Sequence, residues 1–196
     1  MLVLVLLDNP LILDQTQPMT AALLVIDVQV GVVEGAADRE GVIARINGLI
    51  AKARAANTPL IFVQHHDEWL VRGSDAWKLV PELDYRTSDR LVEKTYRDAF
   101  AETTLLHELT LDDVTNVVVT GAQSDYCVTT VSHSALVHSF DVTLVTDAHT
   151  TCDAPLPSSA MPGSQIVEYV NDHFASLSYP GRVVRTVTSA EVEFAS

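Results

Sequence analysis

The feature that most constrains this chain is an abrupt change of pattern within residues 116–130. Residues 117–119 are all valine, and such a continuous β-branched run is typical of a strand buried on both faces of a parallel sheet. The run stops at Gly121, and from Asp125 onward apolar residues recur at helical spacing. The pattern therefore predicts a buried parallel strand that is followed at once by a helix.

Cys127 falls in the first turn of that predicted helix. In the first turn, unpaired backbone N–H groups and the positive end of the helix dipole favour a thiolate over a thiol. An ordinary cysteine, with a pKa of about 8.5, is only a few per cent thiolate at neutral pH, so lowering its pKa raises its reactivity about tenfold or more. Cys127 is therefore a candidate nucleophile, although most free cysteines are simply small buried apolar residues.

The rest of the chain alternates apolar runs with amphipathic segments. Five further strands are predicted, at residues 21–27, 60–63, 90–93, 142–145 and 183–187. The alternation predicts an α/β fold of three layers, in which helices cover both faces of a mostly parallel, doubly wound, six-stranded sheet. A length of 196 residues suits one domain,, which we place at residues 19–196. A short helix at residues 189–194 is predicted to end it.

Two charged residues stand at the carboxyl ends of predicted strands. Asp27 ends the first strand, and Lys94 follows the run at residues 90–93. Because the ligand crevice of an open α/β sheet lies at the carboxyl ends of its strands, both should lie at the same edge as Cys127. By position alone, a turn residue explains Asp27 about as well, and most lysines are solvated. Their importance therefore depends on the sheet being parallel.

A cluster of polar residues follows the second strand, at residues 64–68. His65 and His66 are adjacent and cannot both face one ion from a regular element, and no further histidine follows at ligand spacing. We therefore expect no metal and no cofactor, and interpret His65 or His66 as a hydrogen-bonding group or a pocket wall. The candidate substrate-binding residues are Gln29, His65, Trp69, Trp77 and Tyr126. Ordinary loop packing explains the two tryptophans equally well.

Composition narrows the classes of partner. With 26 acidic and 12 basic residues, the formal net charge is −14, which argues against a nucleic acid or an anionic membrane as partner. The two cysteines, Cys127 and Cys152, suit free thiols in a reducing cytosol, so we predict a cytoplasmic protein.

Residues 1–18 are apolar but interrupted, and lack the pattern of a signal peptide. We expect them to form an N-terminal extension or arm that packs on this subunit or a neighbouring one.

Three segments taken together resemble the isochorismatase-like cysteine hydrolase family. They are Leu-Leu-Val-Ile-Asp-Val-Gln at 23–29, Glu-Lys at 93–94 and Gly-Ala-Gln-Ser-Asp-Tyr-Cys-Val at 121–128, and the segment at 145–151 matches as well. The resemblance implies that Asp27 accepts and donates protons, that Lys94 is its cationic partner, and that Cys127 is the nucleophile. It also implies a cis peptide between Ala122 and Gln123, in the turn that would form the oxyanion hole. Family members commonly form dimers or larger oligomers, so we expect a homo-oligomer.

The sequence departs from two branches of that family. The nicotinamidase branch carries an aspartate and metal-binding histidines after the second strand, whereas this chain has Gln-His-His-Asp-Glu at 64–68. The branch that acts on isochorismate, a vinyl ether, does not use a cysteine nucleophile. The leading hypothesis is therefore a metal-independent cysteine hydrolase that cleaves an amide, ureide or related C–N bond of a small molecule. Vinyl-ether hydrolysis and a non-catalytic binding module on the same fold remain open as alternatives.

Overall fold

A computed structural model of the chain describes residues 20–155 and 160–194. Its strands are β1 Ala21–Ile26, β2 Leu60–His65, β3 Arg90–Lys94, β4 Asn116–Ala122, β5 Asp141–Thr150, β6 Ala154–Pro155, β7 Ala160–Met161 and β8 Val184–Val187. Its helices are α1 Val30–Val33, α2 Arg39–Ala55, α3 Leu105–Leu111, α4 Thr129–Val137 and α5 Gly163–Ser176. A π-helical turn, Ser124–Val128, leads directly into α4. The predicted arm at residues 1–18 lies outside the described residues.

Six strands form one sheet in the order β3-β2-β1-β4-β5-β8, and every neighbouring pair is parallel. From β1 the chain adds β2 and β3 on one side, and from β4 it adds β5 and β8 on the other. The direction of winding therefore reverses between β1 and β4, which is where an open α/β sheet forms a ligand crevice. The predicted three-layer, doubly wound, six-stranded fold is confirmed.

The two central strands are buried on both faces, because successive side chains of a strand point to opposite sides of the sheet. Leu24 and Val119 belong to the core cluster that includes residues of α3, α4 and α5. Leu23 and Val118 belong to the second cluster, which includes the apolar face of α2. The unbroken apolar runs of β1 and β4 thus match their position at the centre of the sheet.

Gly121 determines how closely β4 approaches β1. It has a positive φ of 113°, and a Cβ at this position would lie 2.0 Å from the carbonyl oxygen of Ile26. Gly121 is also the register partner of Ile26. Only glycine fits here, and the close approach brings the residue after Ile26, Asp27, beside the turn that follows β4.

Two elements differ from their predicted extents. Strand β5 continues to Thr150, because a register shift between Val119 and Gly121 of β4 restores the pairing further along. The predicted helix at residues 189–194 is wrong, since residues 189–191 form a turn. Lys52 Nζ donates hydrogen bonds to three carbonyl oxygens of that segment at 3.0–3.2 Å. Asp147 accepts the N–H of Ser189 at 2.7 Å. The carbonyls of Ser189 and Ala190 are the acceptors that a helix over these residues would use, so their contact with Lys52 competes with helix formation. Among the described residues, no helix is long and apolar enough to cross a bilayer.

Candidate active site

The fold brings three distant side chains together at the carboxyl edge of the sheet. Asp27 follows β1, Lys94 is the last residue of β3, and Cys127 lies in the π-helical turn after β4. Lys94 Nζ lies 2.7 Å from Asp27 Oδ2 and 3.2 Å from Cys127 Sγ. A single ammonium group therefore bridges a carboxylate and a sulfur, as the parallel sheet predicted.

Two of these side chains are removed from water. The side chain of Lys94 is 0% exposed and that of Asp27 is 1% exposed. Burial of charged groups is unfavourable, and their mutual attraction has to compensate for it. Apart from Lys94 and the thiol of Cys127, no described residue donates a hydrogen bond to an Asp27 oxygen. The carboxylate thus keeps an unused capacity to accept a proton.

The environment raises the pKa of both groups that can hold the negative charge. Burial raises the pKa of Asp27, and the opposing effect of Lys94 is smaller. Burial, followed by the charge of Asp27, raises the pKa of Cys127 to about 12. The sequence predicted the opposite direction for Cys127, from its place at a helix N-terminus. Desolvation of the sulfur and the neighbouring carboxylate outweigh the helix terminus and Lys94, so the thiol is protonated at neutral pH.

Lys94 has a third polar neighbour. Its Nζ lies 3.4 Å from Nδ1 of His65, and the other ring nitrogen of His65 lies 3.1 Å from Asp67 Oδ2. Asp67 Oδ1 in turn accepts the backbone N–H groups of Trp69 and Leu70, at 2.8 and 2.7 Å. The sequence predicted that His65 or His66 is a hydrogen-bonding group or a pocket wall, and of the two the structure places His65 in contact with Lys94.

The turn that carries Cys127 has a distinctive backbone. The peptide between Ala122 and Gln123 is cis, as the resemblance implied. The carbonyl oxygen of Gln123 accepts the N–H groups of Tyr126 and Val128, both at 3.1 Å. These donors flank Cys127 on either side, so the sulfur is held at the start of a helix that continues into α4.

A second buried network supports the same turn, and it was not recognised from the sequence. His149 is 2% exposed, and its Nδ1 lies 2.8 Å from Ser124 Oγ. Its Nε2 lies 2.8 Å from Asn171 Oδ1. The extension of β5 makes His149 the register partner of Gly121, which places it beside the turn. The match of residues 145–151 to the family was the one signal that pointed to this region.

The candidate substrate-binding residues occupy very different environments. Gln29 is 0% exposed. Its Oε1 accepts the N–H of His65, and its Nε2 donates to the carbonyls of His65 and Trp77. Gln29 therefore holds the backbone of two other candidate residues in place. Trp69 is 91% exposed, and Tyr126 is 39% exposed with the guanidinium of Arg97 3.9 Å from its ring centre. Trp77 is half-buried, and its Nε1 has no hydrogen-bond partner among the described residues.

The polar segment after β2 was also considered as a metal site. His66 Nε2 lies 3.8 Å from Glu93 Oε2, and His65 contacts Lys94 instead of a second ligand. Within residues 20–155 and 160–194, no three or more His, Cys, Asp or Glu side chains are grouped so that they could hold a metal ion.

Comparison with known proteins shows extended similarity. The isochorismatase domain model matches residues 21–163. A streptothricin hydrolase of Streptomyces noursei is 36% identical over 142 residues, which cover 68% of this chain and 56% of that protein. The chain thus spans little more than half the length of this relative. Nicotinamidase 3 of Arabidopsis thaliana is 27% identical over 158 residues, covering 72% of this chain and 78% of that protein.

A solved structure shows the same architecture. The crystal structure of an isochorismatase from Pseudomonas putida superimposes with a TM-score of 0.80. The match covers 90% of this chain and 93% of that one, at 24% sequence identity. At this level of identity the likeness shows the fold alone.

Proposed function

We propose that this chain hydrolyses a C–N bond of amide or ureide type in a small molecule. The premise is that the chain belongs to the isochorismatase-like cysteine hydrolase family. The observation that carries the proposal is the position of Lys94 Nζ, 2.7 Å from Asp27 Oδ2 and 3.2 Å from Cys127 Sγ. This arrangement places a nucleophile, a base and a cation in mutual contact, which is the requirement for nucleophilic catalysis by a thiol.

The first step is attack by Cys127 on the substrate carbonyl. Because the pKa of Cys127 is raised to about 12, its proton has to leave as the C–S bond forms, and Asp27 is the adjacent acceptor. The carbonyl π electrons move onto oxygen. As the C–S bond forms, the proton passes from sulfur to Asp27 and the negative charge of the carboxylate ends on the carbonyl oxygen. Lys94 contacts both the carboxylate and the sulfur, so it can stabilise negative charge on either atom while the proton moves.

The turn after β4 supplies donors for the oxyanion. We assign this role to the backbone N–H groups of Gln123 and Cys127, because Cys127 lies at the start of the helix and N–H groups there point out of its first turn. Loss of one such donor typically raises the barrier by about 3 kcal/mol. Distortion of this turn should therefore reduce turnover strongly in a protein that still folds.

Asp27 then acts in the reverse direction. It protonates the leaving nitrogen as the C–N bond breaks, which leaves a thioester on Cys127. In the second half of the reaction Asp27 accepts a proton from water as the oxygen of that water attacks the thioester carbonyl. The C–S bond then breaks and Asp27 returns the proton to the sulfur, which restores the thiol and the carboxylate. General acid–base catalysis of this kind typically contributes about 10²- to 10⁴-fold.

The names of two relatives support this reaction class. One is a streptothricin hydrolase, and the other is a nicotinamidase, named for an amide substrate. The segment that follows β2 in this chain does not group three metal-binding side chains among the described residues. The proposal therefore keeps the cysteine chemistry of the family and leaves the metal out of the reaction.

The experiment is a screen of small amides and ureides for ammonia release. On an accepted substrate, Cys127→Ala should lose turnover by roughly 10⁴-fold or more, and a thioester should be trapped on Cys127 in the wild type. Cys152→Ala is the matched control for loss of a thiol, since Cys152 lies outside the Asp27–Lys94 ion pair and contacts the side-chain amide of Gln123 and the backbone carbonyls of residues 32 and 34. Wild-type ammonia release in Cys127→Ala would defeat the proposal. Pyruvate release from a vinyl-ether acid that survives Cys127→Ala would favour that alternative.

A further inference from the structure

The bridging position of Lys94 requires an explanation of its own. An ammonium group has three N–H donors, and the contacts to Asp27 and Cys127 occupy two of them. The Lys94 side chain is fully buried, so the third N–H has to find an acceptor in the protein, because a buried donor without a partner is unfavourable. The ring nitrogen Nδ1 of His65, at 3.4 Å, is that acceptor.

The tautomer of His65 follows from this contact. Because the ammonium group of Lys94 can only donate hydrogen bonds, Nδ1 must be the acceptor and carry the lone pair. In a neutral imidazole the ring proton then lies on Nε2. Nε2 lies 3.1 Å from Asp67 Oδ2 and donates to it. The N–H of Leu70 first, and then His65 and Trp69, hold the pKa of Asp67 below its usual range, so Asp67 is a carboxylate. Donation therefore runs in one direction, from Lys94 to His65 to Asp67.

We propose that His65, oriented by Asp67, is a positioning residue that holds the Lys94 ammonium between Asp27 and Cys127. The inference rests on the proposed function for its kinetic consequence, but its geometry is independent of any substrate. Without the His65 acceptor, the ammonium is free to turn one of its other N–H bonds away from the sulfur.

The backbone around His65 is built to hold the ring in place. His65 is the register partner of Lys94 across β2 and β3, so the two side chains are neighbours on the sheet. Gln29 accepts the N–H of His65 at 2.9 Å and donates to its carbonyl at 2.9 Å. Both ring nitrogens are engaged, and the side chain is only 16% exposed. A substrate contact would have to displace one of these partners, so a positioning role fits His65 better than a role as pocket wall.

The first test reads the sulfur directly and needs no substrate. In Asp27→Asn, Lys94 is the charged neighbour that remains to stabilise a Cys127 thiolate, whose ultraviolet absorbance can be titrated against pH after subtraction of a Cys127→Ala background. Adding His65→Leu, which removes the acceptor, should raise the thiolate midpoint by roughly one pH unit or more. Adding His65→Asn should restore most of the difference, because its Oδ1 can take the place of Nδ1. A midpoint that His65→Leu leaves unchanged would overturn the inference.

The second test uses Asp67. In Asp67→Asn, the amide oxygen can keep the N–H groups of Trp69 and Leu70, so the amide nitrogen faces Nε2 of His65. Two donors then meet, the ring has to change tautomer, and its Nδ1–H is directed at Lys94. Asp67→Asn alone should therefore lower kcat by about 10- to 100-fold with little change in KM. Asp75→Asn is the control, because Asp75 is an exposed carboxylate of the following loop that pairs with Lys78.

A double-mutant cycle separates positioning from simple loop damage. If Asp67 acts through His65, adding Asp67→Asn to His65→Leu should cause little further loss of kcat. Fully additive losses would contradict the relay. If the chain proves to have no amidase activity at all, the proposed function fails, and the thiolate titration still decides whether His65 holds Lys94.

Discussion

Two buried polar networks flank the turn that carries Cys127, and they differ in charge. Asp27, Lys94 and Cys127 form a charged cluster, with an ion pair at 2.7 Å and an acceptor that is not saturated. Ser124, His149 and Asn171 form a neutral network, in which both ring nitrogens have a partner at 2.8 Å. The charged cluster can hold a proton in more than one place, whereas the neutral network has one arrangement.

The difference indicates a division of labour. A saturated neutral network fixes geometry and contributes to a unique fold. A buried ion pair is a weak contributor to net stability, since its desolvation offsets much of its attraction, so its presence at this edge points to chemistry. Substitutions in the charged cluster should therefore change reactivity and pH dependence, and substitutions in the neutral network should change stability.

The largest effect is expected for Asp27→Asn. The amide cannot accept a proton from Cys127 or return one to the leaving group, so turnover should fall by about 10²- to 10⁴-fold. Ammonia release under saturating substrate measures this. Asp75→Asn is the control for removal of an acidic side chain. If turnover falls as much in this control, the loss does not depend on the charged cluster.

Lys94→Met should show the role of the charged cluster through a loss of folding stability. It leaves the Asp27 carboxylate buried without its cation, which should lower the free energy of unfolding by about 3–5 kcal/mol at neutral pH. Burial already raises the pKa of Asp27, and loss of Lys94 raises it further. The unfolded chains of the two proteins titrate alike, so the deficit is present above the raised native pKa of Asp27 in the wild type and is lost as the pH falls through it. Denaturant unfolding at neutral and acidic pH tests this, and a deficit that does not depend on pH would contradict it.

His149→Leu should lower the free energy of unfolding by a smaller amount, and this loss should depend on pH in a different way. It removes the partner of Ser124 Oγ and of Asn171 Oδ1, at a cost of about 1–3 kcal/mol. Burial lowers the pKa of His149, so in the wild type the neutral ring favours the folded state above the ordinary histidine pKa of about 6.5, and this advantage is lost as pH falls. The deficit of His149→Leu should thus begin to shrink below about pH 6.5, following the titration of histidine, whereas the deficit of Lys94→Met follows the titration of Asp27. Coincident pH profiles for the two variants would remove the distinction between the networks.

The same contrast explains which features the sequence could predict. The inner strands were predicted because buried parallel strands read as largely apolar runs, and Asp27, Lys94 and Cys127 were found because each lies at or beyond the end of a predicted strand. Gln29 was a candidate for substrate binding, but its amide bonds to His65 and Trp77. Distance along the chain gives no information on such contacts.

Other features depend on tertiary structure from the start. The pKa of Cys127 was predicted in the wrong direction because the helix terminus is local and visible, whereas burial and the Asp27 charge come from other strands. The position of His149 depends on a register shift between β4 and β5, and no local pattern encodes it. The prediction of the terminal helix was wrong for the same reason, since Lys52, which is distant in sequence, binds the carbonyls of Ser189 and Ala190.

The central claim is that Asp27 and Cys127 share one negative charge under Lys94. The most direct measurement is the pH titration of Cys127 thiolate absorbance in the wild type and in Asp27→Asn. The wild type should show no thiolate through the neutral and mildly alkaline range, because burial and Asp27 raise the pKa of Cys127 to about 12. Asp27→Asn should move the thiolate midpoint to lower pH even though it abolishes turnover. A midpoint that stays in place or moves to higher pH would contradict the account.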